Sequence, residues 1–210
     1  MSIAIDPHHL QYFRKNRQIE FENLVTSSEI GLITSILKKK VEKNKDPLPL
    51  PLKEGFDLWR SHEELKKLIA GKKFAKMSGQ LMEVKKLRFG YSQYLSSACY
   101  SDDYTYVHRK SCIKELVSAL CICLEPSPTP ENPYFPTEKG HGIFFEVDPD
   151  FFLRYPKSKG EYLFIFYAHS SATFSYQSED PLNGFFRELG YQHGERLKEI
   201  LNPSYSWMLI

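Results

Sequence analysis

The sequence predicts an α+β domain in which helices come first and a mostly antiparallel sheet follows. Three observations predict it. Segments of near-helical periodicity fill most of residues 1–82, apolar runs of strand length parted by Pro- and Gly-rich turns fill much of the remainder, and βαβ alternation is absent. About five strands at irregular spacing fit a small barrel or jelly roll better than a parallel sheet. The 210 residues suit one domain with a substantial core. Residues 1–82 are expected to form mostly helical support and 83–178 the β core, with a Pro-rich loop at 125–140. Residues 179–210 are expected to add C-terminal helical turns.

Each element has a local cause. QIEFENLV (18–25) alternates Ile19 and Phe21 with polar residues, the half-buried strand pattern. Ser27 or Ser28 is positioned to cap a helix through IGLITSILKKKVEK, whose Ile30, Ile33, Leu37 and Val41 recur at near-helical spacing and whose lysines gather at the C-terminal end. DPLPLPLKEG (46–55) carries three prolines and reads as an extended linker. Ser61 followed by Glu64 has capping-box spacing and opens the helix HEELKKLIAG, closed by Gly71; KKFAKMSGQLM is a second amphipathic helix.

MEVKKLRFGYSQYL reads as a strand with Val84, Leu87, Phe89 and Tyr91 as core positions. LVSALCICL, HGIFFEV, YLFIFYA and ATFSYQ are four further strands. EPSPTPENPYFPTEKG, with five prolines, is a long irregular loop, the kind that is often functional or replaces something lost. PLNGFFRELG and GERLKEIL close the chain as a helix and a further turn.

Composition removes several function classes. With 41% apolar and 26% charged residues the chain is an ordinary globular protein, not a disordered, collagenous or coiled-coil one. Its 15 Phe, 13 Tyr and 2 Trp, concentrated in the second half, favour sheets and large pockets. The net charge of +2 is too small to argue for nucleic acid. Residues 1–105 carry 18 basic against 13 acidic side chains and residues 106–210 carry 10 against 13, which permits a basic face without establishing one. The longest apolar stretch, Leu116 to Leu124, is too short to cross a bilayer, and MSIAIDPHHL is polar too early for a secretory signal. Four cysteines without a CxxC complete the picture of a soluble, reduced, cytoplasmic protein.

FDLWRSHEELKKLIAGKKFAKMSGQLMEVKKLRFGYSQYL, a tryptophan before a capped helix, then a short helix, then a strand with basic and aromatic residues, resembles the N-terminal half of phytanoyl-CoA-dioxygenase-like proteins. IEFENLVTSSEIGLITSILKKKVEK is similar to the opening of such enzymes. YLFIFYA and ATFSYQSEDPLNGFFRELGYQHGERL are similar to the tail of bacterial proteins related to them. The pieces cover about two thirds of the chain and none is a tight motif. The resemblance implies a double-stranded β-helix (cupin-type jelly roll) buttressed by the helices of residues 26–82. It also implies a non-haem iron, 2-oxoglutarate-dependent chemistry. That chemistry rests on His-x-Asp/Glu and a later His, which hold Fe(II) on one face, with an Arg beyond to clamp 2-oxoglutarate.

This chain departs from that pattern. His62-Glu63-Glu64 falls at a helix start where Glu64 is taken by the capping box, and His193-Gly194-Glu195 has no histidine after it. His108 precedes Arg109 rather than a carboxylate. His169, at a strand end, is the candidate for a lone distal metal ligand, and Arg187 and Arg196 follow it as candidates for a 2-oxoglutarate clamp. With no complete triad, no catalytic residue and no cofactor are assigned, and Fe(II) with 2-oxoglutarate stays only as what the resemblance would supply.

Other chemistries find less. Cys121-Ile122-Cys123 is expected to send its thiols to opposite faces of a strand, so no shared zinc is expected. Cys112, near Lys110 and Lys114, is expected to have a lowered pKa. P-loop, G-x-G-x-x-G and G-x-S-x-G fingerprints are absent. SHEELKKLIAGKKFAKMSGQL carries Lys66, Lys67, Lys72, Lys73 and Lys76, but beyond Gln80 it offers no side chains to read bases, so nucleic acid lacks a reading motif. The expectation is a catalytically degenerate oxygenase relative acting as a scaffold for an unidentified protein or small molecule. The alternative is a divalent-cation-responsive DNA-binding regulator, and a third reading is an active oxygenase with non-standard ligands around His169.

Overall fold

The computed structural model describes residues 4–41, 55–96, 111–128, 133–148, 160–178, 180 and 182–207. Helix α1 (Pro7–Asn16) starts at Asp6, whose carboxylate accepts the His9 N–H at 3.0 Å, and it has proline at its first position. It stops at Arg17, left-handed at φ 60, whose N–H donates to the Phe13 carbonyl at 2.7 Å. Strand β1 (Gln18–Phe21) follows, burying Ile19 and Phe21 as the alternation predicts.

Helix α2 (Ser27–Val41) is capped one residue earlier than expected. The Thr26 hydroxyl accepts the Glu29 N–H at 3.2 Å while the Glu29 carboxylate accepts the Thr26 N–H at 2.7 Å, a reciprocal box. The Pro-rich linker lies outside the described residues except for Gly55. A short 3-10 helix (Leu58–Ser61) leads into α3 (Glu63–Ile69) and α4 (Lys72–Leu81). The Ser61–Glu64 capping box does not form: Ser61 ends the 3-10 helix and donates to the Leu58 carbonyl, and extended His62 occupies the cap position without a side-chain bond.

Six strands form one antiparallel sheet in the order β1-β4-β3-β5-β2-β6, with β2 Lys86–Ser96, β3 Leu116–Glu125, β4 Gly142–Glu146, β5 Glu161–His169 and β6 Ser204–Ser206. Strands β3 and β5 are buried on both sides, which is why their sequences read as unbroken apolar runs. On one face Leu120, Ile122, Leu163, Ile165 and Tyr167 pack under the helices together with Phe74, Leu65 and Ile33. Helix α4 lies closest: the Ser78 and Ser118 hydroxyls are 2.5 Å apart, and Gly79 is seated under the Trp207 indole, where a Cβ would come within 1.6 Å of Cζ2.

On the other face Ala119, Cys121, Cys123, Phe145, Phe164 and Phe166 meet rings brought in from outside the sheet, Phe56, Phe135, Phe174 and Phe186. The strand expected at ATFSYQ is not one. Residues 173 and 174 make single bridges, Thr173 to Arg196 and Phe174 to Ile113, and among the described residues no second sheet stands opposite the first. The C-terminal helix is α5 (Asn183–Glu188), and GERLKEIL forms turns around the Arg196 bridge rather than helix. The architecture is thus α+β, a six-stranded antiparallel sheet with helices on one side and an aromatic filling on the other. No helix among the described residues is long and apolar enough to cross a membrane.

Candidate functional site

His169 is the last residue of β5 and is half exposed. Its backbone N–H donates to the Glu115 carbonyl at 2.9 Å, which brings together two residues far apart in sequence. Its Nδ1 lies 2.7 Å from the Ser171 hydroxyl, which in turn donates to the Glu115 carboxylate; that carboxylate is 3.8 Å from the same Nδ1. Histidine, serine and glutamate therefore form a surface cluster around one ring nitrogen. A facial triad needs a second imidazole, and a hydrolase triad needs the carboxylate on the nitrogen away from the serine. Neither condition is met here.

His9, His141 and His193 have local work. His9 accepts at the α1 cap, and His193 Nδ1 accepts the Tyr176 N–H at 3.1 Å in a turn whose Gly190 and Gly194 both have positive φ. His141 has its two nitrogens facing different acids, Glu20 at 3.2 Å and Glu138 at 3.4 Å, so the carboxylates sit on opposite sides of the ring and cannot share an ion with it. Among the described residues no three His, Cys, Asp or Glu side chains could jointly hold a metal. Among the described residues the donor set does not fit the iron that the resemblance implies. Arg187 and Arg196 are both exposed, on α5 and at the Thr173 bridge, and His108 lies outside the described residues.

Two cysteine expectations are corrected. Residues two apart on a strand share a face, and Cys121 and Cys123 are both buried in the aromatic cluster. Burial pushes both thiols up, Cys123 to about 12. Cys112 is also buried, and burial together with the Asp180 carboxylate raises its pKa where a lysine-lowered one was expected. Asp180 instead organises this corner by accepting the Cys112 N–H at 2.6 Å and the Leu182 N–H at 2.8 Å.

The sheet face away from the helices is filled with side chains. Tyr91 stacks on Phe166 with centroids 4.4 Å apart, and Phe166 is parallel to Phe164 at 6.1 Å. Phe135, from the Pro-rich loop, sets its edge against Tyr162 at 4.7 Å and Phe164 at 5.5 Å, and Tyr134 covers Phe145 at 4.6 Å. Composition signalled the rings, but only the fold shows that they fill one face.

A buried polar network flanks this face. Asp57 is fully buried and accepts from Ser92 N–H at 2.6 Å, Trp59 Nε1 at 3.0 Å and Arg60 Nε at 2.9 Å. Burial pushes its carboxyl above the ordinary value, against the pull of Arg60 and these donors. Arg60 and Arg88 then bind the Leu201 and Asn202 carbonyls, and Asn202 returns its amide to the Phe89 carbonyl at 3.0 Å. The network pins the C-terminal segment to β2. Sequence reasoning gave no signal for it.

No protein-family profile matches the sequence, and no curated protein does either. Solved structures do. The non-heme alpha ketoglutarate dependent carbocyclase SnoK from nogalamycin biosynthesis matches with a TM-score of 0.69 and 13% identity over 97% of this chain and 97% of its own. EctD from S. alaskensis in its apoform matches at 0.59 and 12%, over 85% of this chain and 82% of its own. CT296 from Chlamydia trachomatis matches at 0.51 and 13%, over 80% of this chain and 98% of its own. At these identities the likeness is one of fold. The fold is that of the non-haem iron, 2-oxoglutarate-dependent oxygenases, as the resemblance in sequence implies.

Proposed function

We propose that this chain keeps the oxygenase fold, the double-stranded β-helix included, as a binding or interaction scaffold and carries out no iron-dependent oxidation. One observation carries the reading. The sheet face that would have to hold metal and co-substrate is packed with stacked and edge-on rings of Tyr91, Phe135, Phe164 and Phe166, and among the described residues no three His, Cys, Asp or Glu side chains could jointly hold a metal. In the sequence His-x-Asp/Glu with a later histidine occurs only as His62-Glu63-Glu64, and there it opens helix α3 rather than lying on a strand of the sheet. The partner is an unidentified protein or small molecule. The three cysteines among the described residues are free and buried, and these thiols and the lack of CxxC pairs fit a reducing compartment, the cytoplasm.

Equilibrium dialysis of the full chain against ferrous iron under anaerobic conditions, with and without 2-oxoglutarate, tests the reading. It predicts no stoichiometric iron in either case. Iron retained only when 2-oxoglutarate is present would return the chain to the active oxygenases, with His169 the first residue to replace. The regulator alternative gains no support from the matched structures, and a gel shift at physiological salt that revealed a preferred DNA sequence would reinstate it.

A further inference from the structure

On the helical side, away from the aromatic face, the end of α1, the α4–β2 turn and the end of β4 enclose a cleft of about 300 Å³. Phe13, Leu81 and Met82 make it apolar inside. Two ion pairs form its rim: Arg14 with Glu83, through Nε at 2.7 Å and through Nη2, and Arg17 with Glu146.

The backbone at this rim is unusual. Arg17 has φ 60 and Glu83 φ 54, so two of the left-handed non-glycine residues line a single cleft. Each sits just past the end of a helix, where glycine is the ordinary choice because a β-carbon strains the left-handed turn. Their ion pairs do not repay that strain: Arg14 and Arg17 are 62% and 69% exposed, and pairs so exposed contribute little to folding. Glycine at either position would serve the fold at least as well. Side chains held in strained backbone around one cleft mark a binding role.

The donors left over indicate what is bound. Arg14 spends Nε and Nη2 on Glu83, and Arg17 spends Nη1 on Glu146, so Arg14 Nη1 and Arg17 Nε and Nη2 have no partner among the described residues. Glu146 accepts with one oxygen, leaving the other open. Two cations and two anions form the rim and the Asp148 carboxylate also acts on Arg17, a balance that favours a ligand carrying both charges over a bare anion. We propose that the cleft binds a free apolar α-amino acid, its carboxylate on the open edge of Arg17, its ammonium on the open oxygen of Glu146, and its side chain against Phe13, Leu81 and Met82. The site is separate from the aromatic face and does not depend on the scaffold reading.

Isothermal titration of the full chain with L-leucine tests it, with glycine, N-acetyl-L-leucine and L-leucinamide as controls. Saturable leucine binding is expected, weakened about tenfold or more in each control, because each lacks the side chain or one charge. Arg17→Gly should keep its thermal midpoint or raise it while losing leucine binding. Absence of leucine binding at millimolar concentration overturns the proposal, and so does N-acetyl-L-leucine binding as tightly as leucine. It is equally overturned if Arg17→Gly lowers the midpoint by several degrees and leaves leucine binding intact, since Arg17 would then be only a structural staple.

Discussion

Phe89 and Tyr91, two residues apart on one strand, lie on opposite faces of the sheet. Phe89 pairs with Tyr167 and packs under the helices; Tyr91 pairs with Phe166 and stacks in the aromatic face. Gly90 between them absorbs an extra residue as a β-bulge, and only glycine fits, because a Cβ there would come within 2.9 Å of the Phe166 carbonyl oxygen. The bulge lets one strand supply Leu87 and Phe89 to the helical side and Tyr91 and Leu95 to the other. The Asn202 amide, bonded to the carbonyls of Phe89 and Gly90, locks it.

Truncating the centre of the aromatic face should be expensive. Phe164→Ala is expected to destabilise the fold by about 3–5 kcal/mol, measured by urea unfolding, because Phe135, Phe145 and Phe166 hold its ring from three sides. A loss below about 1 kcal/mol would mean that this face is loosely packed and able to admit a ligand.

Gly79 and Trp207 should behave as a coupled pair. Gly79→Ala is expected to cost about 1–3 kcal/mol by forcing the indole off α4. In a Trp207→Ala background the same change should be neutral or stabilising, since alanine is the better helix former. A double-mutant cycle checks it, and additive effects would contradict the packing described.

Removing Asp57 should unsettle the C-terminal segment. Asp57→Ala leaves Arg60, largely buried, without its carboxylate, and is expected to cost about 3–5 kcal/mol in thermal or urea unfolding. Faster hydrogen exchange at Asn202 and Leu201 should accompany it, because Arg60 donates to the Leu201 carbonyl.

Acid should weaken the fold through carboxylates held below their ordinary value. The Ser204 N–H and hydroxyl lower the Glu199 pKa, the Gln192 N–H and Lys198 lower Glu195, and Arg14 lowers Glu83. A group whose folded pKa lies below its unfolded one stabilises above the unfolded value, 4.5 for glutamate, and loses that contribution as pH falls through the folded value. The thermal midpoint should therefore fall between about pH 5 and pH 3, and Glu199→Gln should fall less steeply over that range. An unchanged slope in that variant would remove Glu199 from the account.

Much of this fold is legible in the sequence. The doubly buried β3 and β5 announce themselves as apolar runs, and the helices of residues 63–81 as amphipathic periods. What the sequence hides depends on partners distant along the chain. The alternation in 172–177 suggests a strand, yet it finds only Ile113 and Arg196 to bridge to. Strand β6 is three residues with one apolar side chain, too short for any pattern, and exists because β2 offers an edge. The α2 cap falls to Thr26 because Glu29 is spaced to complete the box there. Likewise, His169 was visible as a lone strand-end histidine, but its neighbours Ser171 and Glu115 were not, since Glu115 reaches it only through sheet pairing.

The most direct test of the scaffold account is thermal unfolding of the full chain under anaerobic conditions, with and without ferrous iron plus 2-oxoglutarate. A ligand pair bound to the native state at about 100 times its Kd would add about 2.7 kcal/mol, and for a chain of this size raise the midpoint by roughly 5–10 °C. The account predicts the same midpoint in all four conditions: neither additive, each alone, and both together. A rise of that size that requires both together would contradict it.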